Sequence, residues 1–430
     1  MDDYARWDSD DGIYGGMDGQ MELVFPGRHS FVEEVQSFRG MGSSTLYAEL
    51  EGPGGKPVSF LTNEFWTSKQ RAAHSLHEVS YRACFKPQLP RFFIERLTRE
   101  GDWVYDPFMG RGTTLLEAAL MGRKVMGCDI NPLSRLLVEP RLSPPLQEQV
   151  EARLRELDLN YKGDLREDLL VFYHPDTLRE IHGLRRLWME PAGMESPVDG
   201  WIRMVATNRL TGHSPGFFSV YSLPPNQAVT VERQRLINEK RKQVPPYRDV
   251  RSIIAKKSRQ LLQDLTSGER ERLRVAASDA CLSASSCVDA AGIPRSSAVL
   301  AVTSPPFLKV VDYVTDNWLR CWFNGIDPEA IGIWQLGKLS RWAAAMESAL
   351  IKTRDILVPG GYFAFEVGEV NKGTVKLENT VIEVAAKAGY EVLCVMVNQQ
   401  EFTKTSNCWG VDNASKGTNT NRIVVLRSPE

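Results

Sequence analysis

A chain of 430 residues, 42% hydrophobic and 25% charged, has the composition of a globular protein able to bury a large core. No run approaches the roughly 18 consecutive apolar residues of a membrane helix, and the acidic, Gly-rich start MDDYARWDSDDGIYGGMDG is the reverse of a signal peptide, so a cytoplasmic protein without membrane association is expected. Seven cysteines without a CxxC pair and six scattered histidines without HExxH argue against a disulfide framework and against a metal site.

The elements read as follows in chain order. Residues 1–60 are polar and Gly-rich and are expected to be an irregular arm. Leu89, Phe92, Phe93 and Leu97 fall at helical spacing, with Pro87 and Pro90 near the helix start. The turn Gly101-Asp102 leads into Trp103-Val104-Tyr105-Asp106, a short apolar run that ends on an acid, as a buried parallel strand does. Gly110 and Gly112 lie in a loop, Thr113 to Met121 forms a helix, and Lys124 to Asp129 is a second strand; together they make a βαβ unit.

Residues 140–270 then read as mostly helical, interrupted at 213–225 and 244–247. Strands are expected at Arg274-Val275-Ala276 and at Ala298 to Thr303. A long helix follows from Trp334 to Leu357, and strands from Tyr362 to Val367, Glu391 to Val397 and Arg422 to Leu426. The pattern predicts an α/β protein with a Rossmann-like sheet of about seven strands and a large, mostly helical insertion. Its units would be the arm 1–60, a first sheet half 61–139, the insertion 140–272 and a second half 273–430.

The net charge of −2 hides an asymmetry. Residues 201–275 carry fifteen Lys or Arg against six acids, which makes this segment +9 and the remainder −11. A local excess of this kind is the footprint of a surface that meets a phosphate backbone. Arg233, Arg235, Lys240, Arg241, Lys242, Arg248, Lys256 and Lys257 are the residues expected to do so.

Three motifs carry chemistry. In Asp106-Pro107-Phe108-Met109-Gly110-Arg111-Gly112-Thr113-Thr114, a strand ends, glycines allow close approach of a ligand, and a helix begins. In Gly127-Cys128-Asp129-Ile130-Asn131-Pro132, a strand-end acid is placed to accept hydrogen bonds from a ribose diol. In Thr303-Ser304-Pro305-Pro306-Phe307, two prolines take the chain stiffly out of the sheet beside a hydroxyl and an aromatic face.

DPFMGRGTT, DINP and TSPPF, in this order, resemble the cofactor and catalytic motifs of the amino-group DNA methyltransferases, whose patterns are DPF-x-G-x-GTT and S/D/N-P-P-Y/F/W. The resemblance covers roughly 74–140 and 274–427 and implies S-adenosylmethionine as cofactor and double-stranded DNA as substrate, with a cognate restriction endonuclease as a candidate partner. It implies further that Lys86 and Pro87 lie beside the methionine end of the cofactor and that Asp279, after the strand expected at 274–277, meets its adenine ring. Arg111 stands where this loop more often has Ser, and Phe307 where the family more often has Tyr.

The amine of a nucleobase is conjugated with its ring and is a poor nucleophile. Acceptors at the Ser304 hydroxyl and the Pro305 carbonyl would draw its nitrogen toward a tetrahedral shape that can attack a sulfonium methyl, with the base flipped out to stack on Phe307. Ser in the first position is the form typical of cytosine-N4 enzymes and Asp that of adenine-N6 enzymes, so cytosine N4 is the leading expectation. Adenine N6 is the first alternative, followed by an RNA base amine and by a catalytically inactive DNA-binding subunit. No Pro-Cys pair is present, and a cytosine-C5 enzyme would need its cysteine nucleophile there.

Overall fold

The computed structural model describes residues 28–66, 73–82, 84–190, 196–223, 228–306, 312–334, 336–368, 376–399 and 420–430. Among these residues nine strands form one sheet: β1 (Leu46–Glu51), β2 (Pro57–Asn63), β3 (Trp103–Asp106), β4 (Lys124–Cys128), β5 (Cys281–Ser283), β6 (Ala298–Thr303), β7 (Leu357–Val367), β8 (Glu391–Gln399) and β9 (Thr420–Arg427). Their order across the sheet is β1-β2-β8-β9-β7-β6-β3-β4-β5. From β7 through β6, β3 and β4 to β5 every neighbour is parallel, while β9 runs antiparallel to both β7 and β8.

Parallel strands joined by helices are covered on both faces, and this accounts for their unbroken apolar runs. β6, Ala-Val-Leu-Ala-Val-Thr, is buried along its whole length. On one face lie α2 (Gln88–Leu97), α3 (Thr113–Leu120) and α10 (Ser267–Asp279), which contact each other or the strands beneath. α12 (Leu339–Ile356) and α13 (Leu377–Lys387) share a second apolar cluster with Phe363, Phe365 and Val395.

Two strands beyond the expected seven come from the segment read as an irregular arm. β1 and β2 pair antiparallel around Gly52-Pro53-Gly54-Gly55, and β2 joins the sheet parallel to β8. The turn glycines hid a hairpin: β1 is exposed throughout, and only β2 has buried side chains, those of Val58, Leu61 and Asn63. α1 (Arg28–Ser37) also lies in this segment, with Phe31 and Val35 in the core.

The strand expected at 274–276 is a correction of a different kind. Those residues belong to α10, whose start is fixed by a capping box: Glu269 N donates to Thr266 Oγ1 at 3.3 Å and Thr266 N to Glu269 Oε2 at 2.9 Å. The cue Thr-Ser-Gly-Glu was present in the sequence. The third parallel strand is instead the short β5, and α10 runs across the expected boundary at 272.

Between the two halves of the sheet lie α4 (Leu133–Leu142), α5 (Gln147–Glu156), α6 (Pro175–Met189), α7 (Pro197–Thr207), α8 (Val231–Arg241) and α9 (Val250–Leu262). Trp201 of α7 is fully buried and donates from Nε1 to Ser258 Oγ of α9 at 3.0 Å. These helices grip α11 (Tyr313–Asn324), which follows the Ser304 motif. Arg185 donates to the Trp322 carbonyl at 3.0 Å, Trp188 Nε1 to the Phe323 carbonyl at 2.8 Å and Arg203 to Asn324 Oδ1 at 2.8 Å. The last carbonyls of α11 thus find side-chain donors. Among the described residues no helix is long and apolar enough to cross a membrane.

α2 carries the aromatic layer over the sheet. Phe93 is fully buried against Phe31, Trp66 and Phe92, with ring centroids 5.5–6.4 Å apart. Phe93→Ala is expected to lower unfolding free energy by about 3–5 kcal/mol in urea titration, the usual cost of emptying a packed aromatic site.

Candidate active site

β3 and β6 are adjacent and parallel, and the chain leaves their carboxyl ends in opposite directions. A crevice opens at such a switch point. Thr303 Oγ1, at the end of β6, donates to Asp106 Oδ1, at the end of β3, at 2.6 Å. Thr114 Oγ1 of α3 donates to the Val302 carbonyl at 3.1 Å. Two short contacts therefore fasten the Gly-rich loop to the strand that carries Ser304.

Above them lies a pocket of about 840 Å³, mouth included, of the size that takes a small organic ligand. Asp106, Pro107, Phe108, Gly110 and Thr113 line it from the first motif, Asp129 and Ile130 from the second, Ser304 and Pro306 from the third. Gly112, Thr114, Thr303 and Pro305 are not lining residues, but each is next in sequence to one that is. Phe307 lies outside the described residues.

Gly112 has φ +75°, and a Cβ there would meet Val138 Cγ2 of α4 at 2.4 Å. The loop needs glycine at this place both for its backbone and for the close approach of α4. Met109 N donates to the Cys128 carbonyl at 3.0 Å and Gly110 N to Asp129 Oδ2 at 2.9 Å, which seats the loop on the end of β4. Asp129 Oδ1 accepts from Asn131 N at 2.9 Å. Burial raises the Asp129 pKa, opposed by the Asn131 and Gly110 amides and by Ser134.

Asp106 is 1% exposed, and its pKa is pushed up to about 7, burial outweighing the hydrogen bonds from Thr303, Phe108 N and Thr114. Ser304 hydrogen-bonds Glu366, a buried acid of β7 that also accepts from Asn421 Nδ2 at 2.7 Å. Burial raises the Glu366 pKa, with the Ser304 and Asn421 hydrogen bonds opposing it; in its ionised form Glu366 accepts from the Ser304 hydroxyl, and the Ser304 lone pairs are left for another donor. Sequence reasoning missed Glu366, although a charged residue inside the apolar run Tyr-Phe-Ala-Phe-Glu-Val was the signal available.

Arg111 does not turn to the pocket with an unpaired charge. Its guanidinium donates to the carbonyls of His77 (3.1 Å) and Val79 (2.9 Å) and to Thr113 Oγ1 (3.1 Å). The buried Arg141 of α4 donates to the Leu76 carbonyl at 3.2 Å and to the Arg111 carbonyl. Both arginines hold the upstream segment against the loop.

That segment meets the pocket through Tyr81, Cys84 and Phe85. Lys86 and Pro87 do not line it, because the chain turns into α2 there; Pro87 is the residue before the helix and borders a separate polar cavity. Asp279 is also displaced from its expected place. It ends α10 and pairs with Lys124 Nζ at 2.9 Å on the surface, and the residues after β5 that reach the pocket are Ser286 and Cys287. Trp334 was expected in a helix but precedes α12, lines the pocket and meets Phe108 edge-on at 6.0 Å.

The basic segment divides under inspection. Lys257 is 7% exposed and pairs with Glu78 at 2.8 Å, so the reading of it as a phosphate contact is corrected. Arg203, Arg251, Arg270 and Arg272 donate to carbonyls within the fold, Arg259 and Arg274 pair with Glu151 and Glu271, and Arg209 lies buried over Phe217. Arg233, Arg235, Lys240, Arg241, Lys242 and Lys256 are exposed, and Arg248 is half-buried. Arg241 stacks on the Tyr221 ring at 3.7 Å. Among the described residues no group of three or more His, Cys, Asp or Glu is placed to hold a metal ion.

Residues 44–135, which include the hairpin, the Gly-rich loop and Asp129, match the family model described as DNA methylase. This segment is similar to the DNA methylases. The chain is 38% identical over 82 residues to the type II methyltransferase M.MjaII of Methanocaldococcus jannaschii, covering 19% of this chain and 16% of that one. It is 32% identical over 111 residues to the type II methyltransferase M.MvaI of Kocuria varians, covering 25% and 23%. The match thus spans less than a quarter of either relative's length. A solved SAM-dependent methyltransferase of Methanosarcina mazei aligns over 78% of this chain and 97% of its own, at 9% identity and a TM-score of 0.30.

Burial raises the pKa of Asp106. Its folded value lies above that of a free carboxyl, so the folded chain holds an extra proton between about pH 4 and 7, and the stability of the free protein falls as pH rises through that window. A ligand that brings a cation to Asp106 prefers the ionised form. Affinity for S-adenosylhomocysteine, measured by calorimetry, is therefore expected to weaken below pH 7 by up to about tenfold per pH unit. In Asp106→Asn it should be weak and flat with pH; a flat profile in the wild type would contradict a role for this carboxylate.

Proposed function

We propose that this protein transfers a methyl group from S-adenosylmethionine to an exocyclic amine of a base in double-stranded DNA, cytosine N4 first and adenine N6 as the alternative. The observation that carries the proposal is the contact of Thr303 with Asp106, which brings the Gly-rich loop and Ser304 to one pocket. Ser at the first position of the tetrapeptide is what favours cytosine N4.

The pocket's chemistry fits the cofactor. Asp106 offers a carboxylate to a cationic group, Asp129 faces the position of a ribose diol, and Phe108, Ile130 and Trp334 supply apolar and aromatic walls for an adenine ring. When bound, S-adenosylmethionine supplies an electrophilic methyl group. Ser304, its own proton directed to Glu366, accepts one hydrogen of the target amine. The Pro305 carbonyl, which no donor reaches among the described residues, accepts the other. With both hydrogens held, the nitrogen lone pair is freed from the ring and aimed along one line, so positioning does the catalysis. The methylated nitrogen then gives up one proton to solvent.

The reaction requires the base to leave the duplex stack. We assign the grip on the phosphate backbone to Arg233, Arg235, Lys240, Arg241, Lys242 and Lys256, with Arg248 at their margin, in a cytoplasmic protein whose further partner is an endonuclease of matched sequence.

Incubation of DNA with methyl-labelled cofactor, followed by nucleoside mass analysis, is expected to give N4-methylcytosine. N6-methyladenine would support the alternative, and absence of label in DNA would contradict both. Ser304→Ala should lower turnover by a hundredfold or more, with affinity for S-adenosylhomocysteine unchanged within about twofold. Parallel loss of binding would mean that the motif is misassigned.

Charge reversal at Arg233, Arg235, Lys240 and Arg241 is expected to flatten the dependence of DNA affinity on salt, by a slope of about one for each lost contact. Lys257→Ala should leave that slope as it is, because Lys257 is already paired inside the fold. A reduced slope in Lys257→Ala, with none from the four surface changes, would relocate the interface.

A further inference from the structure

The turn that carries Ser304 has an unusual shortage of internal restraint. Pro305 and Pro306 have no N–H, so neither can be tied down through its own amide, and their rings fix only φ. The direction of each carbonyl is left to ψ and to whatever outside group holds it. One such group is present. Trp342, in the first turn of α12, is fully buried and donates from Nε1 to the Pro306 carbonyl at 2.8 Å.

Resting on the function proposed above, we infer that Trp342 is a positioning residue for methyl transfer, which holds the Pro306 carbonyl away from the substrate and leaves the Pro305 carbonyl as the acceptor beside Ser304. The geometry makes the two ends of the turn a matched pair. At one end Glu366 accepts a hydrogen bond from the Ser304 hydroxyl; at the other the Trp342 indole donates one to the Pro306 carbonyl. Both holders are buried, and they come from β7 and α12, consecutive elements of the second sheet half that share one apolar cluster.

A buried indole N–H needs an acceptor somewhere. Here it takes the carbonyl next to the one the reaction uses. Pro306 lines the pocket, so an unclaimed carbonyl at this place would compete for an amine hydrogen or hold a water molecule in its path. Trp342 does not line the pocket and touches no substrate; it acts through Pro306.

Trp342→Phe removes the donor and keeps a ring in the cluster. The expected result is a kcat for methyl transfer at least tenfold lower, with KM for DNA and affinity for S-adenosylhomocysteine within twofold of the wild type. A kcat within twofold of the wild type, or a fall in kcat matched by a loss of cofactor affinity, would overturn the inference, since the second pattern is that of a damaged core. Trp342→His, which returns a ring N–H, is the second arm, and it also serves if the Phe variant does not fold. With cofactor affinity retained, a kcat above that of Trp342→Phe, or above that of Trp342→Leu where Phe is unfolded, supports the role of the donor, and an equal or lower kcat contradicts it. If the wild type itself places no methyl group on DNA, the proposed function fails instead, so the two failures are distinct.

Discussion

Everything at the pocket depends on the pairing of β3 with β6 and on the hydrogen bond that closes their ends, Thr303 Oγ1 to Asp106 Oδ1. These strands are almost 200 residues apart in the chain yet are neighbours in the sheet, because the helices α3 to α10 and the strands β4 and β5 between them add no strand that separates the two. The first parallel strand thereby contributes the carboxylate and the fourth contributes the hydroxyl. The proposed methyl donor and its acceptor can meet only if these strands are neighbours in matching register, and the buried apolar runs of β3 and β6 secure that pairing.

The electrostatics follow from the same burial. Asp106 and Asp129 both face raised pKa values because the strand ends lie below the surface, and each is kept usable by amide or hydroxyl donors aimed at it. A carboxylate that is costly to ionise alone is well suited to receive a cationic ligand, since the ligand supplies the missing countercharge. The cations of residues 201–275 show the opposite economy. More than half of them are engaged with other groups of the chain, capping α11, bonding backbone carbonyls, stacking on a ring or pairing with acids, so fewer cations are left for a phosphate backbone than the charge count implies.

Much of this architecture was legible in the sequence because it rests on local cues. Trp103 to Asp106, Gly110, Gly112 and Ala298 to Thr303 announce strand, turn and strand by apolar runs and punctuation alone. What could not be read locally depends on partners distant in the chain. β2 is a strand because β8 lies beside it, and β1 is an exposed edge with no alternation to detect. Lys257 looks like its exposed neighbours until Glu78 folds against it. Trp334 and Glu366 gain their places from the way β6, β7 and α12 come together, while Asp279 loses its expected place because the Thr266 capping box extends α10 through 279. Arg274 to Ala276 is helical for a reason that is local, since Thr266 and Glu269 mark a helix start in the sequence.

The most direct measurement is a crystal structure of the chain with sinefungin, whose amine takes the place of the transferable methyl group. The ligand is expected in the pocket between Asp106 and Asp129, its amine directed toward Ser304. Density for it elsewhere, or in this pocket with the amine turned away from Ser304 and the end of β6, would contradict the meeting of donor and acceptor on which this account rests.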